Sequence, residues 1–303
     1  MSKKPVIAVV GSFNMDMVVS LDRLPRLGET IAGERIQYAP GGKGANQAVG
    51  CARLGAATVM IGALGNDRFG REIADSLAQE AIDMEGAAFM EDFPTGVASI
   101  LRTQEDNCIV VVPGANERCT PDWIDEHAER IRQSGLLLVQ LEIPLESVIR
   151  AMEIAREAGV KIVLNPAPAR PLPEYVLRLA DYLTPNETEF EALSGTDIES
   201  EEMLFQAMSS WQRRYGHTLV VTRGEKGIAA ADKDGIRTIK APSVKVVDTT
   251  GAGDALNAAL GYGIANGWPI GDSASFAVRA AALSVTRFGA QHGMPYRDEV
   301  TIL

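Results

Sequence analysis

The stretch LLLVQLE, Leu136–Glu142, is apolar at four consecutive positions before a glutamine interrupts it. A strand with one wet face alternates apolar and polar residues. A run without alternation suits a strand buried on both faces, which is the habit of parallel sheets covered by helices. Working outward, Val6–Val10, Thr58–Ala63, Leu136–Leu141, Lys161–Asn165, Tyr182–Pro185 and Thr218–Thr222 all read as such strands. Most are followed by helical periodicity, at Gly44–Leu54, Phe69–Glu80, Leu145–Ala158, Pro173–Leu179, Glu187–Leu193 and Ser200–Tyr215. The alternation predicts an α/β fold with a mostly parallel sheet and helices on both faces.

Two regions break the rhythm. Met17–Tyr38 and Thr95–Val112 contain MVVSLDRL, ETIAGERIQY, GVASILR and NCIVVVPG, with no helix between them. They are read as an antiparallel flap outside the main sheet, at about 15–39 and 94–113. An apolar face on such a flap would cover a site, pair with another subunit, or both. No linker, low-complexity tract or repeat divides the chain, so residues 1–303 are read as one domain.

The 303 residues are 46% hydrophobic and 23% charged, an ordinary globular balance. A net charge of −11 excludes the basic face that nucleic acid or an anionic membrane requires. The three cysteines have no metal-site spacing, and the apolar run near the N-terminus is too short for a secretory signal or a membrane span. Both point to reduced thiols in a cytoplasmic protein.

The chemistry concentrates in VVDTTGAGDALNAAL, Val246–Leu260. Gly251, Ala252 and Gly253 let backbone N–H groups approach a ligand, and the helix that follows adds its positive end, so the segment reads as an anion hole. Asp254 in that place is either a base acting on something beside the anion or a stabilising N-cap or first-turn acid. Gly41 and Gly42 precede Lys43 and Asn46 at another helix start. GSFNMD, Gly11–Asp16, offers Ser12, Asn14 and Asp16 beyond a strand end, or simply a turn. TPNETE places Asn186 and Glu189 together for a hydrated Mg²⁺ or a helix cap. VTRGEKG, Val221–Gly227, is a nucleotide-binding edge or a hairpin. Neither a GxxxxGK[ST] loop nor a GxGxxG fingerprint is present, which argues against a P-loop enzyme and a Rossmann oxidoreductase. Nothing resembles a Ser-His-Asp or GxSxG hydrolase, and His127, His217 and His292 are scattered.

GSFNMD, GGKGANQA, NPAPA, TPNETE, VTRGEKG and DTTGAGD, in this order, resemble the ribokinase family of carbohydrate kinases, also called the phosphofructokinase-B-like family. The resemblance extends from Gly11 to Pro295. PRLGET, VVVPGAN and NPAPARPLP point to its ribose-phosphorylating branch. It implies a three-layer α/β/α sandwich with a mostly parallel central sheet, a small β-sheet lid, and dimerisation through that lid. It implies ATP as donor and the 5-hydroxyl of D-ribose as acceptor. Ser12, Asn14, Asp16, Gly41, Gly42, Lys43, Asn46 and Glu142 match sugar-binding positions. Asn186, Thr222, Gly224 and Gly227 match nucleotide positions, and Glu189 the acid that organises Mg²⁺ through water. Gly251, Ala252 and Gly253 match the anion hole, and Asp254 the base. Asp248, Thr250, Ser284, Arg287 and Gly289 match a K⁺ site.

Three positions depart from the pattern. Leu256 replaces a usual Phe. Gly293 stands where a cation-ligating Ser is common, and Val278 where a polar residue often lines the adenine pocket. The rival readings are a sister kinase for 2-deoxyribose, another sugar or a nucleoside, and a catalytically silent sugar-binding protein on the same scaffold.

Overall fold

The structure is a computed structural model describing residues 4–103 and 107–303; residues 1–3 and 104–106, the latter inside the expected flap, lie outside the described residues. The strands are β1 Val6–Val10, β2 Asn14–Ser20, β3 Arg35–Gly41, β4 Ala57–Gly65, β5 Asp83–Met90, β6 Gly96–Arg102, β7 Asn107–Val112, β8 Leu136–Val139, β9 Lys161–Leu164, β10 Tyr182–Leu183, β11 Thr218–Thr222, β12 Ile228–Asp232 and β13 Gly235–Ile239. Among the described residues they form a nine-stranded sheet, ordered β13-β12-β11-β10-β9-β8-β1-β4-β5, and a four-stranded sheet, ordered β3-β2-β6-β7. The large sheet is parallel from β11 to β5 and ends in the antiparallel β12–β13 hairpin.

β8 behaves as its composition requires. Leu136 and Leu138 enter the core on one face of the sheet, Leu137 and Val139 the core on the other, and all four are fully buried. Burying one such leucine contributes about 1.5–3 kcal/mol. The helices Lys43–Arg53, Ala252–Ala265 and Ile270–Ser284 pack on the first face, and Leu145–Glu157 and Glu201–Tyr215 on the second. The three-layer expectation therefore holds.

The small sheet corrects one expectation. β2 and β6 pair in parallel, so the flap is mixed rather than antiparallel. The reason is topological. β2 continues from β1 and β6 from β5, and β1 and β5 run parallel in the large sheet, so both chains leave the same edge in the same direction. The expected strands are also shorter: Leu21–Glu34 forms turns and bends closed by Arg23 and the Arg26 N–H on the Glu29 carboxylate. β5, in DMEGAAFM, is not legible as a strand in the sequence because it has no β-branched residue and carries Asp83, Glu85 and Gly86, which strands disfavour.

The small sheet is joined to the large one at Asn116. Its amide accepts from Phe13 N at 2.9 Å and donates to Phe13 O, Asn14 Oδ1 and Pro113 O at 2.9–3.0 Å. Ile36, Tyr38, Ile109, Val110, Val111 and Val112 remain exposed on it. No helix among the described residues is long and apolar enough to cross a membrane.

Candidate active site

The residues singled out in the sequence converge at the carboxyl ends of β1, β8, β9, β10 and β11, where open α/β sheets bind ligands. Two glycines make this possible. A Cβ on Gly41 would lie 2.3 Å from the Asp16 carboxylate. Gly42 sits at φ +89°, and a Cβ there would lie 2.7 Å from Asn14 N. The end of β3 can thus press onto β2 and turn directly into the Lys43–Arg53 helix. That helix lacks a side-chain cap of its own. Glu142 supplies an anion instead, accepting from Lys43 N at 3.0 Å and from Ser12 Oγ.

The Lys43–Arg53 and Ala252–Ala265 helices touch where both are small; a Cβ on Gly50 would be 2.6 Å from Ala258 Cβ. One turn earlier, Asn46 Nδ2 donates to Asp254 Oδ2 at 2.9 Å and Gln47 Nε2 to Oδ1 at 3.0 Å. Asp254 is thus not the N-cap. That position is Gly251, at φ +80°, where a Cβ would meet Ala290. Asp254 is a buried first-turn acid whose oxygens face another helix. Burial pushes its carboxyl above the usual range, while Lys43, Asn46 and Gln47 pull it back. A Cβ on Gly253 would meet nothing within 4 Å, so the helix opens onto free space there.

Lys43 is the charge that the cluster shares. Burial opposes its charge, yet Asp254, Glu142, Glu189 and Asp16 outweigh this and hold its ammonium above the ordinary value. Asp16 is pushed up to about 7 by burial and then by Glu142 and Asp254, with Lys43 opposing. The Oδ1 of Asn46 is buried without a donor among the described residues, an acceptor available to a ligand hydroxyl.

Two cavities flank this cluster. One, of about 570 Å³, is lined by Asp16, Tyr38, Arg102, Asp248, Thr250 and His292 among others. The other, of about 480 Å³, is mostly apolar and lined by Thr222, Gly224, Gly227, Val246, Leu256 and Val278 among others. Val246 and Thr249 belong to both, and Gly253 opens on the second. VTRGEKG is the β11–β12 hairpin and also a wall of the apolar cavity. Asn186 pairs with Thr222 beside it.

Asn186 and Glu189 form a reciprocal helix cap: Asn186 Oδ1 accepts from Glu189 N at 2.7 Å and Glu189 Oε2 from Asn186 N at 2.8 Å. Burial raises the Glu189 carboxyl. Asp248 accepts from Thr250 N and Oγ1 and from Gly289 N. Ser284 and Arg287 turn their side chains elsewhere, to Ala281 O and Glu299. A Cβ on Gly293 would come 2.6 Å from Ser284 O, so this loop closes more tightly than a serine would permit.

Sequence reading passed over Gln47, Asn116, Gln140 and Asn165. A signal existed for Gln140, the one polar residue inside an otherwise apolar run. Asn116 lies in the motif VVVPGAN, but its bonds to Phe13 and Asn14 span 103 and 102 residues and leave no local trace in the chain.

Several known proteins are similar to this chain over nearly its whole length. The profile of the pfkB family carbohydrate kinases matches residues 4–297. A ribokinase of Lactococcus lactis is 40% identical over 97% of this chain and 95% of its own. A deoxyribokinase of Salmonella typhi is 34% identical over 95% of each. The structure of Arabidopsis thaliana ribokinase complexed with ribose and ATP superposes with a TM-score of 0.92 at 35% identity, over 99% of this chain and 98% of that one. The chain belongs to the pfkB family of carbohydrate kinases.

Proposed function

We propose that this protein is an ATP-dependent ribokinase. The observation that carries the reading is the position of Asp254: a buried carboxylate in the first turn of a helix that opens onto free space at Gly253, beside Lys43, with Asp16 of the same cluster lining one cavity and Gly253 the other. D-Ribose occupies the polar side, held by Ser12, Asn14, Asp16, Gly41, Gly42, Lys43, Asn46 and Glu142, with ATP along Asn186, Thr222, Gly224 and Gly227. The 5-hydroxyl oxygen bonds to the γ-phosphorus, the bond to the ADP oxygen breaks, and the hydroxyl proton passes to Asp254. The N–H groups of Gly251–Asp254 meet charge on the transferred phosphoryl group. The four-stranded sheet acts as a lid that excludes water.

Ribose is favoured over 2-deoxyribose by Asn14. Its Oδ1 is taken by Asn116, so the amide offers a ligand its Nδ2 donor, which suits a hydroxyl oxygen. A site built to bond a hydroxyl penalises an analogue that lacks it.

Glu189 suits Mg²⁺. One carboxylate with Oε2 already taken fits an ion that keeps its waters and is held mainly by phosphates. Bound there, Mg²⁺ would neutralise phosphate charge. K⁺ fits beside Asp248, Thr250, Gly289 and the carbonyls of Ser284 and Arg287, though Gly293 contributes no hydroxyl. A cation there would brace the glycine turn. The exposed apolar face of the lid supports a homodimer. Three free thiols and a need for ATP support a cytoplasmic location.

The first test is ADP release with ATP and Mg²⁺, in K⁺ and then Na⁺ buffer. It should depend on D-ribose, run far slower with 2-deoxyribose, and fall by about 10²-fold or more in Asp254→Asn. Equal rates with the two sugars would assign the protein to a sister activity. An Asp254→Asn enzyme within a few-fold of wild type would remove the base.

The elevated Asp16 carboxyl sets a second expectation. Sugar hydroxyls donate to the ionised form, which predominates only above about pH 7. The sugar KM should therefore drop several-fold from pH 6 to pH 8, and Asp16→Asn should abolish the dependence. A flat wild-type profile contradicts this role.

Gly253→Ala should melt at the same temperature or higher, since nothing crowds the new methyl and alanine favours a helix by about 0.5–1 kcal/mol. Its kcat/KM should nevertheless fall about tenfold or more as the methyl enters the phosphate site. Full activity would argue that no phosphate binds at this helix end. In sedimentation the wild type should run as two 32.4 kDa chains, and Val110→Glu as one; a monomeric wild type would dispose of the dimer.

A further inference from the structure

Around Asp254 runs a closed ring of buried polar groups. Gln47 Nε2 donates to Asp254 Oδ1 at 3.0 Å and also to Asn165 Oδ1 at 3.3 Å. Asn165 Nδ2 donates to Thr184 O at 3.1 Å, and Thr184 Oγ1 to Asn257 Oδ1 at 2.6 Å. Asn257 Nδ2 returns to the carbonyl of Gly253 at 2.8 Å. That carbonyl shares its peptide unit with the N–H of Asp254, so the ring begins at the carboxylate and ends on the backbone of the same turn.

Gln47 could present either end of its amide to Asp254, and its oxygen there would repel the carboxylate. Gln140 decides the matter: its Nε2 donates to Gln47 Oε1 at 2.6 Å, which leaves both Gln47 N–H groups facing Asp254 and Asn165. Gln47 and Gln140 are fully buried, and Gln140 Oε1 has no hydrogen-bond partner among the described residues. An unpaired buried acceptor costs about 1–3 kcal/mol, which a leucine at the same place would avoid. Its oxygen also forbids any side chain on Gly11, where a Cβ would be 2.1 Å away.

We propose that Gln140 and Gln47 are positioning residues for phosphoryl transfer, with Gln140 orienting Gln47 so that it holds Asp254 ionised and aligned with the peptide of its own helix turn. The inference rests on the reading of Asp254 as the base. The other charged groups that act on Asp254 are Lys43 of its neighbouring helix, Glu142 beyond β8, Asp16 of β2 and Glu189. None is altered by substitutions at 47 or 140, so a change in pH profile reports the amide relay.

The test is the single-turnover phosphorylation rate, followed by quench-flow from pH 5.5 to 9 at saturating sugar and ATP. Gln47→Leu should lower the rate at pH 7 by about tenfold or more, move the acid limb to higher pH by about one unit, and recover part of the loss at pH 9. The sugar KM should stay within a few-fold. Gln140→Leu should shift the limb in the same direction by less and, added to Gln47→Leu, should cost nothing more, because it acts only through Gln47. If Gln47→Leu does not fold, the Gln140→Leu profile alone decides. An acid limb unmoved in both variants, a uniform loss at every pH, or a Gln140→Leu cost that persists without Gln47 would overturn the relay. Asp254→Asn separates the two failures: if it is nearly inactive while the relay variants show no shift, the relay is wrong and the base stands. If it is active, the base itself is wrong.

Discussion

The structure depends on keeping one carboxylate, Asp254, buried inside the first turn of a helix. Removing a carboxylate from water is costly unless it is paired and hydrogen-bonded. Here Lys43 supplies the opposite charge, and Asn46 and Gln47 supply the donors. All three come from the Lys43–Arg53 helix, so that helix must lie directly against the Ala252–Ala265 helix. Gly50 against Ala258 is the contact that lets it do so. The close helix pair is a consequence of the charge arrangement as much as of core packing.

The same constraint explains the glycines around the site. Gly41 and Gly42 let the chain pass between Asp16 and Asn14 and turn into a helix within two residues. Gly251 provides the left-handed turn ahead of Asp254, and Gly253 leaves the space in front of it open. Four acids, Asp16, Glu142, Glu189 and Asp254, then act on a single buried ammonium. Such an arrangement is unfavourable for an empty protein. It becomes reasonable if the proposed sugar and nucleotide are the groups that complete it.

Much of this was legible in the chain because it rests on local rules. An apolar run without alternation, as in Leu136–Val139, is a strand buried on both faces, and the structure divides those four residues between two cores. The glycine turn before Asp254 and the cap at Asn186 are likewise set within a few residues. The failures share a cause. Edge strand β5 has no β-branched residue, so its sequence does not stand out. The parallel pairing of β2 with β6 follows from how both strands leave the large sheet, which no single segment records.

The sequence by itself determined the alternation of strand and helix, the acidic surface, and the order of the short polar motifs, since each depends on residues close together in the chain. Only the tertiary structure decided which motifs meet, which amide faces which carboxylate, and that Gln47, Asn116 and Gln140 lie against the candidate site. Asp254 and Gln47 are 207 residues apart, and Gln47 and Gln140 are 93. Hydrogen bonds act over about 3 Å, so an amide's place and orientation are settled only once the sheet and helices have packed.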